Sequence, residues 1–585
     1  MNNCLGFILF IRFTLVANQK IAIIGGGPSG LFMLKKLLDT RTPGMEIDVF
    51  EKGGQLGAGL PYSTAGANKE HVTNVSPNEI PELEVSVVDW IKTVHPDTLA
   101  RFGVDLNHFN EYKVMPRLLF GQYLSDQFDS LRAKAKEEGV ALQVFHHTEV
   151  VDMLDLPDQE MVELTLANGD RLNYQQAIVC TGHYWPKTLE GKVQGYFDSP
   201  YPPAKLKIIA DYPVAIRGAS LTAIDAIRTL ARMNGTYQTD ADGKVSYQVN
   251  ESNPNFKLVL HSIRGLLPAI RFHLEDSMLG KDTLYSPEEI KSIRAANDGF
   301  VPLDMVFEEK FKQPLAAHDP DFFKEIAVDE MSIEKFVDRM LSFREDIDSF
   351  ELFKAEYRQA EKSIKRRKSV YWKEMLGALS YTMNYPAKYF SAEDMLRLKK
   401  TLMPLISLVI AFVPQSSAEE MLALHQAGVL DLVAVGADSK IDPKQGGGIT
   451  YHYGNTDGQQ QSVDFELFVD CIGQPHLPFE AFPYEGLKQN GVVVPGKLKF
   501  HHAAAEEIKA DNDAVGQWPN GDYYLKVPGI AINDSFQVLD AYNAFNPRIY
   551  VMAVPLIGGY NPDYSGLDFC ETAATTIAAT ITENV

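Results

Sequence analysis

A short apolar strand in this chain runs directly into a glycine-rich turn, and the turn leads into a helix-forming segment. The strand is Ile21–Ile24, four apolar residues in succession, and the turn is Gly25–Gly30 with the sequence GGGPSG. In a G-x-G-x-x-G turn the first glycine permits the bend, the second admits a pyrophosphate close to the backbone, and the third lets helix and strand pack together. The pattern predicts a dinucleotide-binding α/β unit that holds phosphates at the helix N-terminus.

The next predicted strand supports this interpretation. Residues 46–50 (EIDVF) lead into Glu51, about 20 positions beyond the turn, where an acidic side chain accepts hydrogen bonds from the adenosine ribose. A second glycine-rich loop, 53–59 (GGQLGAG), follows at once and brings backbone towards the middle of the cofactor.

Downstream segments favour FAD as the dinucleotide. A short strand at 148–152 stands where two-domain flavoproteins contact the adenine, and QAIVCTG at 176–182 resembles the flavoprotein ATG strand, with Cys180 in the alanine position. Near the C-terminus a strand (548–553) leads through two glycines into a helix, whose N-terminus would stabilise an anionic reduced flavin. The predicted FAD-contacting residues are Gly25, Gly27, Pro28, Ser29, Gly30, Glu51, Lys52, Gly59, Val150, Val151, Thr181, Gly182, Gly559 and Leu567.

A second strand–turn–helix unit begins at Pro213. Its turn, 218–223 (GASLTA), carries Ser220 where the second glycine belongs, and that side chain would crowd a pyrophosphate. The following strand ends in Ser262 and Arg264, which suit the 2′-phosphate of NADPH better than NADH. Alternatively, Arg264 pairs with a surface carboxylate, or the unit no longer binds a nucleotide. The predicted NADP-contacting residues are Gly218, Ser220, Leu221, Thr222, Ser262 and Arg264.

The chain of 585 residues is too long for one hydrophobic core, so the sequence predicts three parts. Residues 18–205 and 476–585 form an FAD-binding domain, and residues 206–275 and 425–475 form an NAD(P)-binding domain. Residues 276–424 are rich in charged, helix-forming stretches and form a helical insertion. We expect this insertion to cover the open side of the flavin as a substrate domain or lid; an oligomer contact is the alternative.

Composition excludes several other functions. With 77 acidic and 55 basic residues the net charge is -22, which disfavours nucleic-acid binding. We expect the basic run 362–368 to be a solvated helix face. The four cysteines form no C-x-x-C pair, so neither a redox dithiol nor a zinc site is predicted, and scattered thiols suit the cytoplasm. The apolar stretch 5–16 is too short to span a bilayer; we expect an extension or added strand, with a signal or membrane-contacting piece as the alternative.

Several stretches together resemble a known family. They are GGGPSGLFML, GAGLPYST with HVTNVSP, PRLLFGQYL, GASLTAID and SIRGLLP, and they cover nearly the whole chain outside the helical insertion. The sequence resembles a bacterial FAD/NAD(P)-binding flavoprotein family within the two-dinucleotide-binding-domain flavoproteins, which include glutathione reductase-like and flavin-containing monooxygenase-like enzymes. The resemblance implies an α/β fold of two nested Rossmann-like domains. It also implies that Asn74 and Arg117 lie near the FAD, although each could equally be a structural loop residue.

The predicted function is an FAD-dependent, NAD(P)H-using oxidoreductase acting on a small organic molecule. A nested nicotinamide domain without a dithiol favours a monooxygenase, with molecular oxygen as co-substrate. A reductase, dehydrogenase or oxidase without oxygenation is the alternative, and a non-enzymatic redox sensor is another. The sequence nominates no catalytic acid or base beyond the candidate His183, which follows the Thr181–Gly182 turn, and it nominates no metal ligand. A homo-oligomer is compatible with the helical insertion.

Overall fold

The structure is a computed structural model, and it describes residues 19–276, 284–455, 458–501, 505–510, 512–562 and 566–583. The apolar stretch 5–16 and Cys4 lie outside the described residues. In the described ranges no helix has the length and apolar character needed to cross a membrane.

The elements fall into five consecutive segments. The first contains β1 (Gln19–Ile24), α1 (Pro28–Asp39), β2 (Met45–Phe50), α2 (Val87–Trp90), α3 (Pro96–Arg101), α4 (Arg117–Glu137), β3 (Ala141–Phe145), β4 (Val150–Leu156), β5 (Met161–Leu166), β6 (Arg171–Tyr174) and β7 (Gln176–Val179). The second contains β8 (Tyr196–Phe197), β9 (Pro213–Arg217), α5 (Leu221–Asn234), β10 (Gly235–Thr239), β11 (Val245–Val249) and β12 (Lys257–Ser262).

The third segment is helical. It contains α6 (Pro287–Ala296), α7 (Leu303–Phe307), α8 (Gln313–His318), α9 (Pro320–Glu325), α10 (Ile333–Glu345), α11 (Ser349–Arg366), α12 (Tyr371–Met383), α13 (Ala392–Arg397), α14 (Met403–Val409) and α15 (Gln415–Gln426). One π-helical turn, Glu308–Lys312, joins α7 to α8, and another, Leu398–Leu402, joins α13 to α14. We call residues 287–426 the helical block.

Strands return in the last two segments. The fourth contains β13 (Leu430–Ala434), β14 (Lys440–Pro443), β15 (Ile449–Gly454), β16 (Gln460–Phe465) and β17 (Leu467–Asp470). The fifth contains α16 (Glu485–Gln489), β18 (Pro495–Lys499), α17 (Ala505–Ala510), β19 (Val515–Gln517), β20 (Tyr523–Ile530), β21 (Gln537–Leu539), β22 (Phe545–Val551), α18 (Val554–Ile557) and α19 (Leu567–Glu583).

The first large sheet has six strands in the order β21-β22-β7-β1-β2-β3. The five strands from β22 to β3 are parallel, and only β21 runs antiparallel to its neighbour. Residues 21–24 of the central strand are buried, because both faces of a parallel sheet are covered by other elements. Helices α1, α4 and α19 pack together near this sheet.

The second large sheet has five parallel strands in the order β13-β12-β9-β17-β8. Its strands come from both sides of the helical block, so this domain is nested inside the first and the block is inserted in it. Strand β8 belongs to this sheet, although the sequence analysis assigns residues up to 205 to the first domain.

Among the described residues, four smaller antiparallel sheets accompany the two large ones: β10-β11, β4-β5-β6, β14-β15-β16 and β18-β20-β19. The last of these shares a hydrophobic core with the helical block through apolar residues of 498–527. From its sequence, this segment is expected to be part of the FAD-binding domain. Its packing against the helical block cannot be predicted, because short strands carry no signal of the surface against which they pack.

Candidate cofactor site

The first glycine-rich turn is shaped by backbone contacts that exclude larger residues. Gly25 has φ +109°, and a Cβ there would lie 2.7 Å from the carbonyl oxygen of Cys180 at the end of β7. A Cβ on Gly30 would overlap the carbonyl oxygen of Gly25. Both neighbours are backbone atoms, so in this fold the two positions accept only glycine.

The second glycine-rich loop crosses this turn closely. A Cβ on Gly27 would lie 3.2 Å from Cα of Gly59, and Gly59 itself has φ +56°. Helix α1 begins with Pro28, and its N-cap residue Gly27 provides no side-chain cap. The first backbone N–H groups of α1 therefore remain available for an anion, as a dinucleotide pyrophosphate requires. Because Gly27 and Gly59 have no side chains, they leave room for the pyrophosphate of FAD at the N-terminus of α1.

Glu51 lies at the carboxyl end of β2, directly beside the turn. Its Oε2 accepts a hydrogen bond from the Gly26 N–H at 2.9 Å, and its Oε1 accepts one from the Gly53 N–H at 2.5 Å. These bonds hold the carboxylate where the motif predicts the ribose contact. Lys52, the next residue, is exposed and pairs with Glu149 at 2.7 Å.

The predicted adenine-contacting residues begin β4. Val150 is buried, whereas Val151 is 43% exposed. Because successive side chains of a strand point to opposite faces, only one of the two can line a pocket through its side chain.

The predicted flavin end brings together three chain segments. Ser29 Oγ lies 3.3 Å from Sγ of Cys570, so the beginnings of α1 and α19 are adjacent. A Cβ on Gly182, after Thr181, would meet no atom within 4 Å, which leaves room beside this turn. Leu567, the first residue of α19, is buried.

Gly559 has a different environment. Its N–H donates to the carbonyl oxygen of Pro528 at 2.8 Å, and a Cβ there would overlap Val527. This glycine therefore lets the last segment of the chain pack against β20.

Arg117 forms a buried connection between the two dinucleotide-binding units. Its Nη1 pairs with Oδ2 of Asp225 on α5 at 2.5 Å, and its Nε donates to the Val72 carbonyl at 2.9 Å. Tyr201 also donates to Asp225, at 2.7 Å. Burial alone would raise the pKa of Asp225, but the neighbouring Arg117 charge holds that pKa below its usual range. We call Arg117, Tyr201 and Asp225 the interdomain clamp.

Two further residues reinforce this contact between the units. The buried His71 places Nε2 3.1 Å from both the Asp225 carbonyl oxygen and Thr229 Oγ1, and burial lowers its pKa. The Asn74 carbonyl accepts a hydrogen bond from Arg271. Asn74 and Arg117 therefore make hydrogen bonds that join the two domains. This structural role is the alternative expectation for both residues.

His183 lies in the turn that follows β7. Its ring stands 5.7 Å, centroid to centroid, from Trp185, whose Nε1 donates to the Gly473 carbonyl at 3.1 Å. Burial, together with the Arg117 charge, lowers the pKa of His183 to about 4. The imidazole is therefore neutral at pH 7, which favours a role as proton acceptor or neutral N–H donor over one as an imidazolium acid.

The second turn repeats the geometry of the first. Gly218 has φ +106°, and a Cβ there would lie 2.5 Å from the carbonyl oxygen of Cys471 at the end of β17. Ser220 is exposed and is the N-cap residue of α5, but its side chain makes no cap hydrogen bond. Helix α5 then starts with Leu221 and Thr222.

The end of β12 carries the predicted 2′-phosphate residues. Ser262 Oγ is buried without a hydrogen-bond partner among the described residues, so a polar ligand group would satisfy it. Arg264 is half exposed and pairs with Glu345 of α10 at 2.7 Å. Arg264 therefore pairs with a surface carboxylate, which is the alternative given in the sequence analysis. That carboxylate belongs to the helical block.

Two residues near the flavin end carry no sequence signal. His476 follows β17, and its ring packs against Gly558, where a Cβ would lie 2.6 Å from Nδ1. Lys399 of the second π-helical turn is half-buried and lies within electrostatic range of His476. No motif contains either residue, so only the fold brings them together.

Thiol and metal chemistry have little support among the described residues. Cys180, Cys471 and Cys570 are free and buried, and burial raises the pKa of each thiol. Thiols of this kind are protonated and unreactive at neutral pH. In the described ranges no group of three His, Cys, Asp or Glu residues could hold a metal ion.

Comparisons with known proteins agree with this geometry. Residues 22–184 match the model of an FAD-NAD(P)-binding family, and residues 286–410 match that of a YdhS-like middle domain. The protein YdhS of Escherichia coli (strain K12) is 26% identical over 478 residues, which cover 80% of this chain and 86% of YdhS.

Two solved structures are similar over most of the chain. Bacillithiol disulfide reductase Bdr (YpdA) from Staphylococcus aureus has a TM-score of 0.41 and 12% identity, covering 97% of this chain and 99% of its own. Cyclohexanone monooxygenase from Rhodococcus sp. Phi1 bound to NADP+ has a TM-score of 0.42 and 12% identity, covering 97% of this chain and 85% of its own. Structural similarity with TM-scores and identities as low as these assigns no activity to this chain. The FAD-NAD(P)-binding match and the two nested parallel sheets confirm the predicted flavoprotein fold class.

Proposed function

We propose that this chain, which carries an FAD-NAD(P)-binding domain at residues 22–184, is an FAD-dependent monooxygenase that takes electrons from NADPH and acts on a small organic substrate. The observation that carries the proposal is the pair of glycine turns at the carboxyl ends of two nested parallel sheets, with Glu51 bonded beside the first. The coarser class, an FAD/NAD(P)-binding oxidoreductase, follows from the family match and the fold.

A bound flavin would supply hydride acceptance and oxygen activation. The chain would hold its pyrophosphate at the start of α1 and its ribose at Glu51. The N-terminus of α19, beginning at Leu567, would face the ring system and favour negative charge there. In the second domain, Ser262 and Arg264 would hold the 2′-phosphate, once Arg264 exchanges Glu345 for that phosphate.

The helical block lies against the flavin end of the first domain, which supports its proposed role in excluding water. Tyr381 Oη of α12 is 2.8 Å from Thr572 Oγ1 of α19. Lys388 pairs with Asp534 at 2.7 Å in the loop before β21. A cover of this kind protects reactive flavin chemistry from solvent.

The state of the cysteines favours oxygenation over disulfide exchange. A flavoprotein disulfide reductase that uses its own dithiol needs an accessible thiolate. The three described cysteines are buried, and their pKa values are raised.

Anaerobic reduction followed by oxygen mixing tests the proposal. NADPH should bleach the visible absorption of the FAD-loaded protein, and oxygen should then produce a transient absorption band distinct from those of oxidised and reduced flavin. Direct return to the oxidised spectrum would indicate a reductase or oxidase. Failure of both NADPH and NADH to bleach the flavin would overturn the proposed electron supply.

A further inference from the structure

The last turns of helix α11 carry a dense group of positive charges. Residues 358–368 contain six basic side chains and one acidic side chain, in a protein whose net charge is -22. All six basic side chains are exposed, and among the described residues none of them forms an ion pair. These six residues, which we call the basic end of α11, are Arg358, Lys362, Lys365, Arg366, Arg367 and Lys368.

The charges lie on the side of α11 that faces away from the protein. The helix buries residues at intervals of three and four, and the last of them is Ser363. Arg358, Lys362 and Arg366 follow one another at intervals of four residues and are exposed, so they share the opposite side of the helix. The basic end of α11 is therefore one continuous charged surface.

The backbone at the end of α11 is held in a defined turn. Ser363 Oγ donates to the Lys368 carbonyl at 2.6 Å and accepts a hydrogen bond from the His273 N–H at 3.0 Å. The Lys368 N–H in turn donates to the Ser363 carbonyl at 3.1 Å. The last charges of the run are therefore presented on an ordered backbone that is bonded to the second domain.

Two exposed side chains with apolar surface border the basic end of α11. Ile364 is 42% exposed and Tyr112 is 41% exposed, and the Arg367 guanidinium carbon lies 5.8 Å from the centroid of the Tyr112 ring. Three carboxylates belong to the same neighbourhood by sequence or by hydrogen bonding: Glu111, Glu275 and Glu361. Counting all three against the six cations still leaves an excess of three positive charges.

We propose that the basic end of α11 attaches this protein to the surface of membranes that contain anionic lipids. Clusters of roughly four to eight Lys and Arg residues on a helix are attracted to such surfaces. Dissolved salt limits the range of a charge to about 10 Å at an ionic strength of about 0.1 M, so acidic residues on distant parts of the molecule oppose the contact only weakly.

The bordering side chains favour lipid over nucleic acid or an acidic protein as the partner. A tyrosine ring is stabilised at the boundary between headgroups and acyl chains, and an exposed isoleucine gains by entering the same layer. Membrane attachment goes beyond the proposed function and does not depend on it, because the basic end of α11 contains none of the residues assigned to the cofactors.

Co-sedimentation of the purified full-length protein with lipid vesicles tests the proposal. Vesicles of phosphatidylcholine with about one third phosphatidylglycerol should bind the wild type at least about tenfold more tightly than pure phosphatidylcholine vesicles, and added salt should weaken this binding. A quadruple variant (Lys362→Gln, Lys365→Gln, Arg366→Gln, Lys368→Gln) should lose at least about tenfold in affinity for the anionic vesicles.

The matched control removes four exposed lysines from other parts of the surface, and so changes the net charge equally: Lys136→Gln, Lys244→Gln, Lys291→Gln and Lys335→Gln. This control should bind anionic vesicles nearly as the wild type does. Equal binding of the wild type to both kinds of vesicle, no binding to either, or equal losses in the two quadruple variants would overturn the proposal. Tighter binding to a DNA oligonucleotide than to the anionic vesicles would overturn it as well. Reduction by NADPH should be the same in both variants, so failure of the proposed electron supply and failure of membrane attachment are separate results.

Discussion

At the scale of single residues, backbone carbonyl oxygens decide which glycines this fold requires. Gly25 and Gly218 both have positive φ, and each lies against a carbonyl at the end of a neighbouring strand. Gly30 lies against a carbonyl within its own turn. Since a backbone oxygen cannot move aside as a flexible side chain can, a methyl group at these positions displaces the turn itself.

Gly30→Ala should therefore lower both stability and cofactor content. Overpacking typically costs about 1–3 kcal/mol, and the displaced turn should reduce FAD occupancy of the purified protein. The measurements are the free energy of unfolding in urea and the absorbance ratio of flavin to protein. Gly446→Ala is the control, because a Cβ there meets no atom within 4 Å. Normal flavin content in Gly30→Ala would contradict the proposed phosphate site.

Arg264 allows a test of cofactor choice at the same scale. Arg264→Ala should raise KM for NADPH by about tenfold or more, a typical effect of losing a charge-assisted contact, and leave KM for NADH nearly unchanged. Glu345→Gln should lower KM for NADPH, because it removes the carboxylate that now competes for Arg264. Equal changes for both nucleotides in Arg264→Ala would show that Arg264 does not contact the 2′-phosphate.

Local patterns predict local geometry well, and they fail where a partner comes from a distant segment. The turn at 25–30 and its neighbour Glu51 are predicted from spacing, because the glycine pattern and the bond from Gly26 to Glu51 lie within one strand–turn–helix unit and the next strand. The contacts of Gly25 with Cys180 and of Ser29 with Cys570 come from distant segments, and no local pattern predicts them. Arg117 bonds to Asp225, which is 108 positions away. No periodicity in the sequence predicts that Arg117 pairs with Asp225. For the same reason, no sequence pattern points to His476 or Lys399.

At the scale of elements, one buried carboxylate connects three helices of the block. Glu356 of α11 accepts from Arg344 of α10 at 2.6 Å and from Lys373 of α12 at 2.7 Å. Arg344 also donates to the Leu267 carbonyl, at 3.2 Å, in the segment that follows β12. Arg344 therefore takes part both in holding the helices of the block together and in joining the block to the second domain.

Glu356→Gln should destabilise the protein and flatten its acid sensitivity. Burial opposes ionisation of Glu356, but Lys373 and Arg344 lower its pKa from 4.5 to about 2. A lowered folded pKa gives stability that is present above pH 4.5 and is lost as the pH falls towards about 2. Removing one member of a buried pair costs about 3–5 kcal/mol at pH 7.

Urea unfolding at pH 7 and at pH 3 measures both effects of this substitution. The variant should be less stable than wild type at pH 7, and the difference should shrink at pH 3. A difference that is the same at both pH values would show that Glu356 is not the titrating group.

At the scale of the whole molecule, charged contacts fasten the two dinucleotide-binding domains to each other. In the interdomain clamp the side chain of Asp225 is buried and that of Arg117 is only 13% exposed, and the bond between Arg271 and Asn74 lies in a neighbouring part of the same interface. A rotation of the second domain would have to break a desolvated ion pair. The sequence predicts the two domains but not this contact, because only the assembled molecule brings Arg117 to Asp225.

Asp225→Asn should cost about 3–5 kcal/mol of unfolding free energy, because Arg117 would keep its charge in a buried place without a counter-ion. Asp431→Asn makes the same chemical change in an exposed ion pair with Lys257. Exposed pairs contribute about 0–1 kcal/mol. Urea unfolding of both variants separates the two cases, and equal losses would show that the clamp contributes no more than a surface pair.

The nested order of the strands has a consequence for how the protein is made. Strand β7 ends at Val179, but its parallel neighbour β22 begins only at Phe545. At translation rates of about 5–20 residues per second, β7 waits roughly 20 to 70 seconds on the ribosome with one edge unpaired. The later domain and the helical block can fold during that interval, whereas the first sheet closes only near the end of synthesis. Exposed sheet edges invite wrong pairing, so the speed of translation after residue 179 should govern the yield of correctly assembled protein.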